Sequence, residues 1–238
     1  KYSIEGGAGF VAGVYQNNKP VFVKASGFAN IELGVKNQPA HIFRIASLTK
    51  QFTAAAILKL AQENKLKLSD DFRHYVKGFG KSESKITIAH LLSHTSGLND
   101  FTNLENRMVM KVNQPITVDG LLSEIKDDQV LFAVGEASAY SNTGYVLLGK
   151  IIEIVSKQSY AQYIQDNFFT PLGMMHSSVE SQNVQIGRVF GYSMSEGQWQ
   201  NAAPINMGWV YSAGAILSTV DDMAKWFFAL SSGKIIAA

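Results

Sequence analysis

Apolar and polar positions alternate along residues 9–29, GFVAGVYQNNKPVFVKASGFA, in two runs that flank the polar stretch Gln16-Asn17-Asn18-Lys19-Pro20. Alternation sends successive side chains to opposite faces, so this segment predicts a β-hairpin with one packed face. At Ser47 the period changes. Leu48, Phe52, Ala55, Ala56, Leu58 and Leu60 recur at helical spacing and occupy most of the circumference as far as about Asn64. A helix apolar nearly all round is a central one, covered on several sides. Downstream, 87–98 predicts a short helix with Thr87 as N-cap and Gly97 as stop, and 117–128 a short amphipathic one. Residues 141–159 open on capping residues and run apolar at helical spacing through Val155. A further helix spans 159–174, stopped by Pro171 and Gly173, and a last one spans 218–233, ending in Gly233. The aromatic- and glycine-rich stretch between these two predicts strands or loops.

Composition narrows the class. With 238 residues, 46% apolar and 17% charged, the chain is long enough to bury a substantial core and is neither disordered nor low in complexity. The 21 basic and 19 acidic residues are scattered, and no basic stripe with interleaved aromatics appears, so nucleic acid is not an expected partner. The absence of cysteine excludes disulfides, thiolate catalysis and cysteine-ligated metals. His41, His74, His90 and His176 show no metal-ligand spacing, so neither metal nor cofactor is expected. No apolar run approaches the roughly 18 residues of a membrane span. The chain opens on Lys1-Tyr2-Ser3 rather than methionine, as expected where a leader or tag has been removed.

The pattern Ser-x-x-Lys occurs four times, starting at Ser47, Ser82, Ser123 and Ser231, and has little force as a pattern. Ser82 lies in a polar loop, Ser123 on a solvated helix face and Ser231 at a fraying helix end. Ser47 alone opens a long buried helix. There, residues three apart share a face, a helix N-terminus favours a developing oxyanion, and burial lowers a lysine's proton affinity. Those features suit a nucleophile with Lys50 as its base; the competing reading is an N-cap serine beside a surface lysine. A second group weighs on the choice. Tyr140-Ser141-Asn142 immediately precedes a helix, where a phenol and a carboxamide two apart can project to one side. A phenol can relay a serine proton, and a carboxamide can bind a substrate amide.

Together IFRIASLTKQFTAAAILKLAQENKLKLSDD (42–71), ITIAHLLSHTSGL (86–98), YSNTGYVLLGKIIE (140–153) and SAGAILSTVDDMAKW (212–226) resemble the serine β-lactamase and penicillin-binding protein superfamily. The likeness is nearest to its class C β-lactamase-like branch and runs in order from Gly9 to Gly233. It implies an α+β fold of the β-lactamase/transpeptidase type, an antiparallel sheet flanked by helices plus a mainly helical lobe. Residues 1–64 would begin the α/β domain, 65–211 form the helical lobe, and 212–238 return to the α/β domain. By the same resemblance Ser47 is the acylated nucleophile, Lys50 its partner, Tyr140 the general base or proton shuttle, and Asn142 a substrate-amide contact. The Ser47 N–H would form half of the oxyanion hole, and His94 would belong to a structural turn. The implied substrate is a small molecule (a β-lactam, an ester or a D-Ala-D-Ala peptide), and the implied location is periplasmic or secreted.

Two departures qualify the resemblance. Val134 stands where relatives usually have proline. The superfamily's third motif, a basic residue or histidine followed two positions later by glycine, is absent. That motif would hold the substrate carboxylate and bring the second oxyanion donor. The chain therefore reads as truncated, with two strands of an expected five-stranded sheet present and the last strands and C-terminal helix missing. One face of the Ser47 helix and one edge of the hairpin are then expected to lack cover, and an open edge invites self-association.

Overall fold

The computed structural model describes residues 6–80, 84–103, 112–126 and 130–236. Strands β1 (Phe10–Gln16) and β2 (Lys19–Ser26) form the expected hairpin, antiparallel from Phe10↔Ser26 to Gln16↔Lys19, with a bulge between Val14 and Tyr15. Its turn residues Asn17 and Asn18 have φ of +50° and +59°. Two successive left-handed residues make a type I′ turn, whose twist matches the flanking strands, and asparagine tolerates that conformation better than other side-chain-bearing residues. The inner face carries Tyr15, whose hydroxyl donates to Asp221. The outer face leaves Phe10, Val14 and Phe22 exposed.

Short strands β3 (Phe28–Asn30) and β4 (Val35–Lys36) form a ribbon. Strand β5 (Phe43–Arg44) then pairs with β9 (Ile216–Ser218), which pairs on its other side with β6 (Ser178–Val179), all antiparallel in the order β5-β9-β6. A second hairpin joins β7 (Tyr192–Ser195) to β8 (Gln198–Asn201). The architecture is a mixture of antiparallel sheets and helices, as expected. The three-stranded sheet was not foreseen. Its strands are two or three residues long, too short for alternation to register.

The predicted helices are α1 (Thr49–Gln62), α2 (Ile88–Leu92), α3 (Val118–Ile125), α4 (Asn142–Ser156), α5 (Tyr160–Ile164), α6 (Thr170–Leu172) and, after the unforeseen short α7 (Tyr211–Gly214), α8 (Val220–Ser231). Side-chain oxygens of Thr87, Thr117, Ser141, Ser159 and Thr219 each accept from a backbone N–H of the first turn, and so fix where these helices begin.

Four details differ from expectation. Helix α2 ends at Leu92, and Gly97 serves the following loop instead. Its φ is +73°, and a β-carbon there would lie 2.2 Å from the Phe132 carbonyl oxygen. Pro171 does not stop its helix. It sits in the first turn of α6 after a π-helical turn, Gln165–Phe169, where its missing N–H costs little, and the left-handed Gly173 ends the segment. Ser47 lies in a 3₁₀ turn (Ala46–Leu48) just before α1, not in α1 itself. Finally, α1 is not short of cover: only Gln51 and Gln62 of its residues are exposed. Helices α4 and α7 pack along it. From α8, Trp226 stacks on Phe52 at 3.9 Å, and Phe169 meets the same ring edge-on at 5.6 Å.

Candidate active site

Strand pairing puts the site together. The Ile45 N–H donates to the Ile216 carbonyl at 3.0 Å, and the Ile216 N–H donates to Thr49 Oγ1 at 3.1 Å, so the start of α1 is tied to β9 from both sides. Between these ties the chain must turn sharply. Ala46 takes a left-handed φ of +46°, unusual for a side-chain-bearing residue and held there by the surrounding bonds. Ser47 follows on the outside of the turn, exposed, with its N–H among the first-turn donors that lack a helical partner. No side-chain cap closes either the 3₁₀ turn or α1. The Ser47 hydroxyl is thus free for other partners, and the helix-cap reading does not describe it.

Lys50, one turn on, is buried at 7% exposure. Its Nζ lies 2.7 Å from Asn142 Oδ1, 2.8 Å from the Ala213 carbonyl oxygen and 3.4 Å from Ser47 Oγ. The Tyr140 hydroxyl contacts Ser47 Oγ at 2.7 Å, and Lys50 Nζ stands 4.7 Å above the Tyr140 ring. The four residues Ser47, Lys50, Tyr140 and Asn142 are therefore brought together around one hydroxyl. Ser141 points elsewhere and caps α4 through the Gly144 N–H. Ser123 is exposed on α3, Ser231 ends α8, and Ser82 lies outside the described residues.

Burial lowers the proton affinity of Lys50 below the ordinary lysine value, and the nearby Tyr140 oxygen and Asp100 charge oppose that shift. In either protonation state Nζ is directed at the acceptors at 2.7 and 2.8 Å, and the Ser47 hydroxyl lies in the third direction at 3.4 Å.

Two further residues complete the surroundings. Asp100, 5% exposed, accepts from Asn142 Nδ2 at 3.0 Å through Oδ2. His94 sits under the tyrosine segment. Its carbonyl accepts from the Ala139 N–H at 3.0 Å, its Nδ1 accepts from the Ser141 N–H at 3.1 Å, and its ring packs on Tyr140 and Tyr145 at 4.7 and 5.1 Å. His94 also turns the chain, with φ +59°. Sequence reasoning passed over Asp100 because a buried carboxylate and an exposed turn aspartate look alike in the text GLND. The Ala213 acceptor is a backbone atom and leaves no sequence signal.

Burial, and then the charge of Lys50, push the His94 imidazole below its ordinary value of 6.5. On acidification the unfolded chain therefore takes this proton first. The stability supplied by neutral His94 is full above the ordinary histidine value and is lost as pH falls through the lowered one. His94→Asn keeps an acceptor and tolerates the left-handed conformation but does not titrate. Urea denaturation near pH 7.5 and pH 5.5 should show a loss of stability in the native chain on acidification, a step that His94→Asn removes. An equal loss in both chains would assign the acid sensitivity to other groups. Asp70 and Asp71, whose values are lowered, lie in a separate and more acidic window.

The family profile described as Beta-lactamase matches residues 4–238. Protein flp of Staphylococcus aureus (strain MRSA252) is 33% identical over 219 residues, which are 90% of this chain and 43% of that protein. Among solved structures, the octameric penicillin-binding protein homologue from Pyrococcus abyssi superposes with a TM-score of 0.82 at 31% identity, covering 97% of this chain and 54% of that one. The D-amino acid amidase from Ochrobactrum anthropi SV3 in complex with D-phenylalanine gives 0.79 at 26% identity, covering 90% and 63%. This chain thus spans about half the length of these relatives. With the fold, the profile and the relatives in agreement, the chain belongs to the β-lactamase family of serine hydrolases.

Proposed function

We propose that this chain belongs to a serine hydrolase of class C β-lactamase type, which opens β-lactams and other amide or ester carbonyls through an acyl-enzyme on Ser47. The observation that carries this reading is the Ser47 hydroxyl held between Tyr140 at 2.7 Å and the buried Lys50 amine at 3.4 Å. As Ser47 Oγ attacks the carbonyl carbon, its proton passes to neutral Lys50, directly or through the Tyr140 hydroxyl. The Ser47 N–H, at the start of a helical turn, faces the developing oxyanion. Lys50 and Tyr140 then return the proton to the leaving nitrogen or oxygen as the C–N or C–O bond breaks. Water, deprotonated by the same pair, releases the acyl group and restores Ser47. Asn142 serves as a substrate-amide contact on one side while its Oδ1 holds Lys50.

The proposed chemistry serves three substrate classes: β-lactams, activated esters, and amides or peptides of D-amino acids. The last is supported by the likeness to the D-amino acid amidase. A second reading is a β-lactam-binding protein in which the acyl group on Ser47 is released only slowly. Among the described residues no helix is long and apolar enough to cross a membrane. A periplasmic or secreted location remains the reading that family membership supports. Self-association is supported by the exposed apolar face of the β1–β2 hairpin and by the octameric Pyrococcus abyssi homologue.

The test is incubation with a chromogenic cephalosporin, a nitrophenyl ester and D-phenylalanine amide, read by colour or product release and by intact mass. Turnover supports the hydrolase, and a lasting adduct without turnover supports the binder. Neither turnover nor adduct with any of the three would sink both.

A further inference from the structure

The loop that follows α2 is sewn to the start of α4. The Thr143 hydroxyl donates to the Asn99 carbonyl at 2.7 Å, and the Phe101 N–H donates to Thr143 Oγ1 at 3.1 Å. Between these stitches the Asp100 carboxylate is turned inward. Its Oδ1 accepts from the Thr102 N–H at 3.1 Å, and both its oxygens face Asn142 Nδ2, at 3.0 and 3.4 Å. The same Nδ2 lies 3.3 Å from Thr102 Oγ1.

A carboxamide has a donor end and an acceptor end of nearly the same shape, and its neighbours decide which way it points. An ionised carboxylate only accepts. Only the NH₂ of Asn142 can therefore face Asp100, which leaves Oδ1 to face Lys50 at 2.7 Å. Were the amide reversed, its hydrogens would point at the lysine's own, and one of the two short acceptors that orient Nζ would be lost. Asp100 also brings a buried negative charge to within one carboxamide of the amine.

We infer that Asp100 is a positioning residue of the Ser47 site, fixing the direction of the Asn142 carboxamide and through it the state in which Lys50 holds its proton. This inference rests on the Ser47–Lys50 reading of the centre and deepens it. The charged and titratable groups facing Lys50 are Tyr140 and Tyr145 from the α4 segment and Asp100 and His94 from the α2 loop. Of these, Asp100 is the one carboxylate, and it acts along a hydrogen-bonded path through Asn142 rather than through a face of a ring.

The test uses the 238-residue chain with ¹³C-labelled lysine. The Lys50 Cε resonance, assigned by its loss in Lys50→Arg, reports the titration of the amine whether or not any substrate reacts. Asp100→Asn, folded by circular dichroism, should lower the Lys50 midpoint by about one pH unit. The acid limb of Ser47 acylation should move the same way, because the neutral base then persists to lower pH. Asp100→Glu keeps the charge and should restore the midpoint toward the native value; a structural filler would show no such rescue. Asp100→Ser takes the place of Asp100→Asn should the latter fail to fold. A Lys50 midpoint unmoved in a folded neutral variant would overturn the inference. Failure of Ser47 to acylate, with the Lys50 shift intact, would instead count against the hydrolase reading and leave the coupling of Asp100 to Lys50 standing.

Discussion

Ser47→Ala is expected to lower the acylation rate with an activated ester or β-lactam by about 10⁵-fold or more, the scale seen when a serine nucleophile is removed from a constellation that works as a unit. Lys50→Met should lower the same rate by about 10³-fold, within the range of a lost general base. The two losses should not add. In the proposed scheme Lys50 acts only on the Ser47 proton during acylation, so Lys50→Met in a Ser47→Ala background should change almost nothing. The geometry behind this is narrow: a buried amine with two short acceptors, its third direction facing a hydroxyl that also meets a phenol at 2.7 Å. Stopped-flow acylation of the three variants, with circular dichroism to confirm folding, measures the cycle. A Lys50→Met chain that acylates at the native rate would remove Lys50 from the chemistry. Additive losses would place it in a different step.

Gly149→Ala should both destabilise the chain and slow acylation, against the usual gain from alanine in a helix. Alanine favours a helix interior by about 1 kcal/mol over glycine. Here the added carbon would lie 2.0 Å from Ser212 Oγ, 2.4 Å from Ser212 Cβ and 2.7 Å from a Tyr211 ring carbon. Ser212 is fully buried, and its hydroxyl is bonded to the Tyr145 carbonyl at 2.8 Å, so it has no free direction in which to yield. Separating α4 from α7 costs about 1–3 kcal/mol of overpacking, which outweighs the propensity gain. The same shift moves the Ala213 carbonyl away from Lys50, since Ala213 follows Ser212 directly. A displacement near 1 Å at a positioning contact can cost about 10²-fold. Thermal denaturation and acylation kinetics of one preparation measure both effects. A stabilised Gly149→Ala chain with native kinetics would mean that the α4–α7 contact does not set the position of Lys50.

The elements legible in the sequence were those whose signal is local. Two asparagines between alternating runs marked the hairpin, Thr87 marked a helix start that the structure keeps, and the ranges 117–128, 141–159 and 218–233 begin within one residue of the caps Thr117, Ser141 and Thr219. Local reading failed where distant segments decide. Ser47 had the look of a helix cap, yet the ties from Ile45 and Thr49 to β9 turn it outward from a 3₁₀ turn. Gly97 and Pro171 carried the signals of helix stops, but a close approach to Phe132 explains the first and a π turn accommodates the second. Of the candidate site, the residues whose chemistry is distinctive in text, Ser47, Lys50, Tyr140 and Asn142, are the ones that the sequence names, and the fold brings them within contact of one another. Asp100 and the Ala213 carbonyl were not, because their part depends on burial and on contacts across more than 40 and 160 positions of the chain.

The most direct measurement is to identify the residue that takes the acyl group. The chain is incubated with a fluorescent penicillin and, separately, with an activated phenyl ester, digested, and the labelled peptide is sequenced by mass spectrometry. The expected result is one modified residue, Ser47, within the peptide that carries RIASLTK, with labelling lost in Ser47→Ala. Label on any other side chain, or label that persists in Ser47→Ala, would contradict the assignment of Ser47 as the nucleophile.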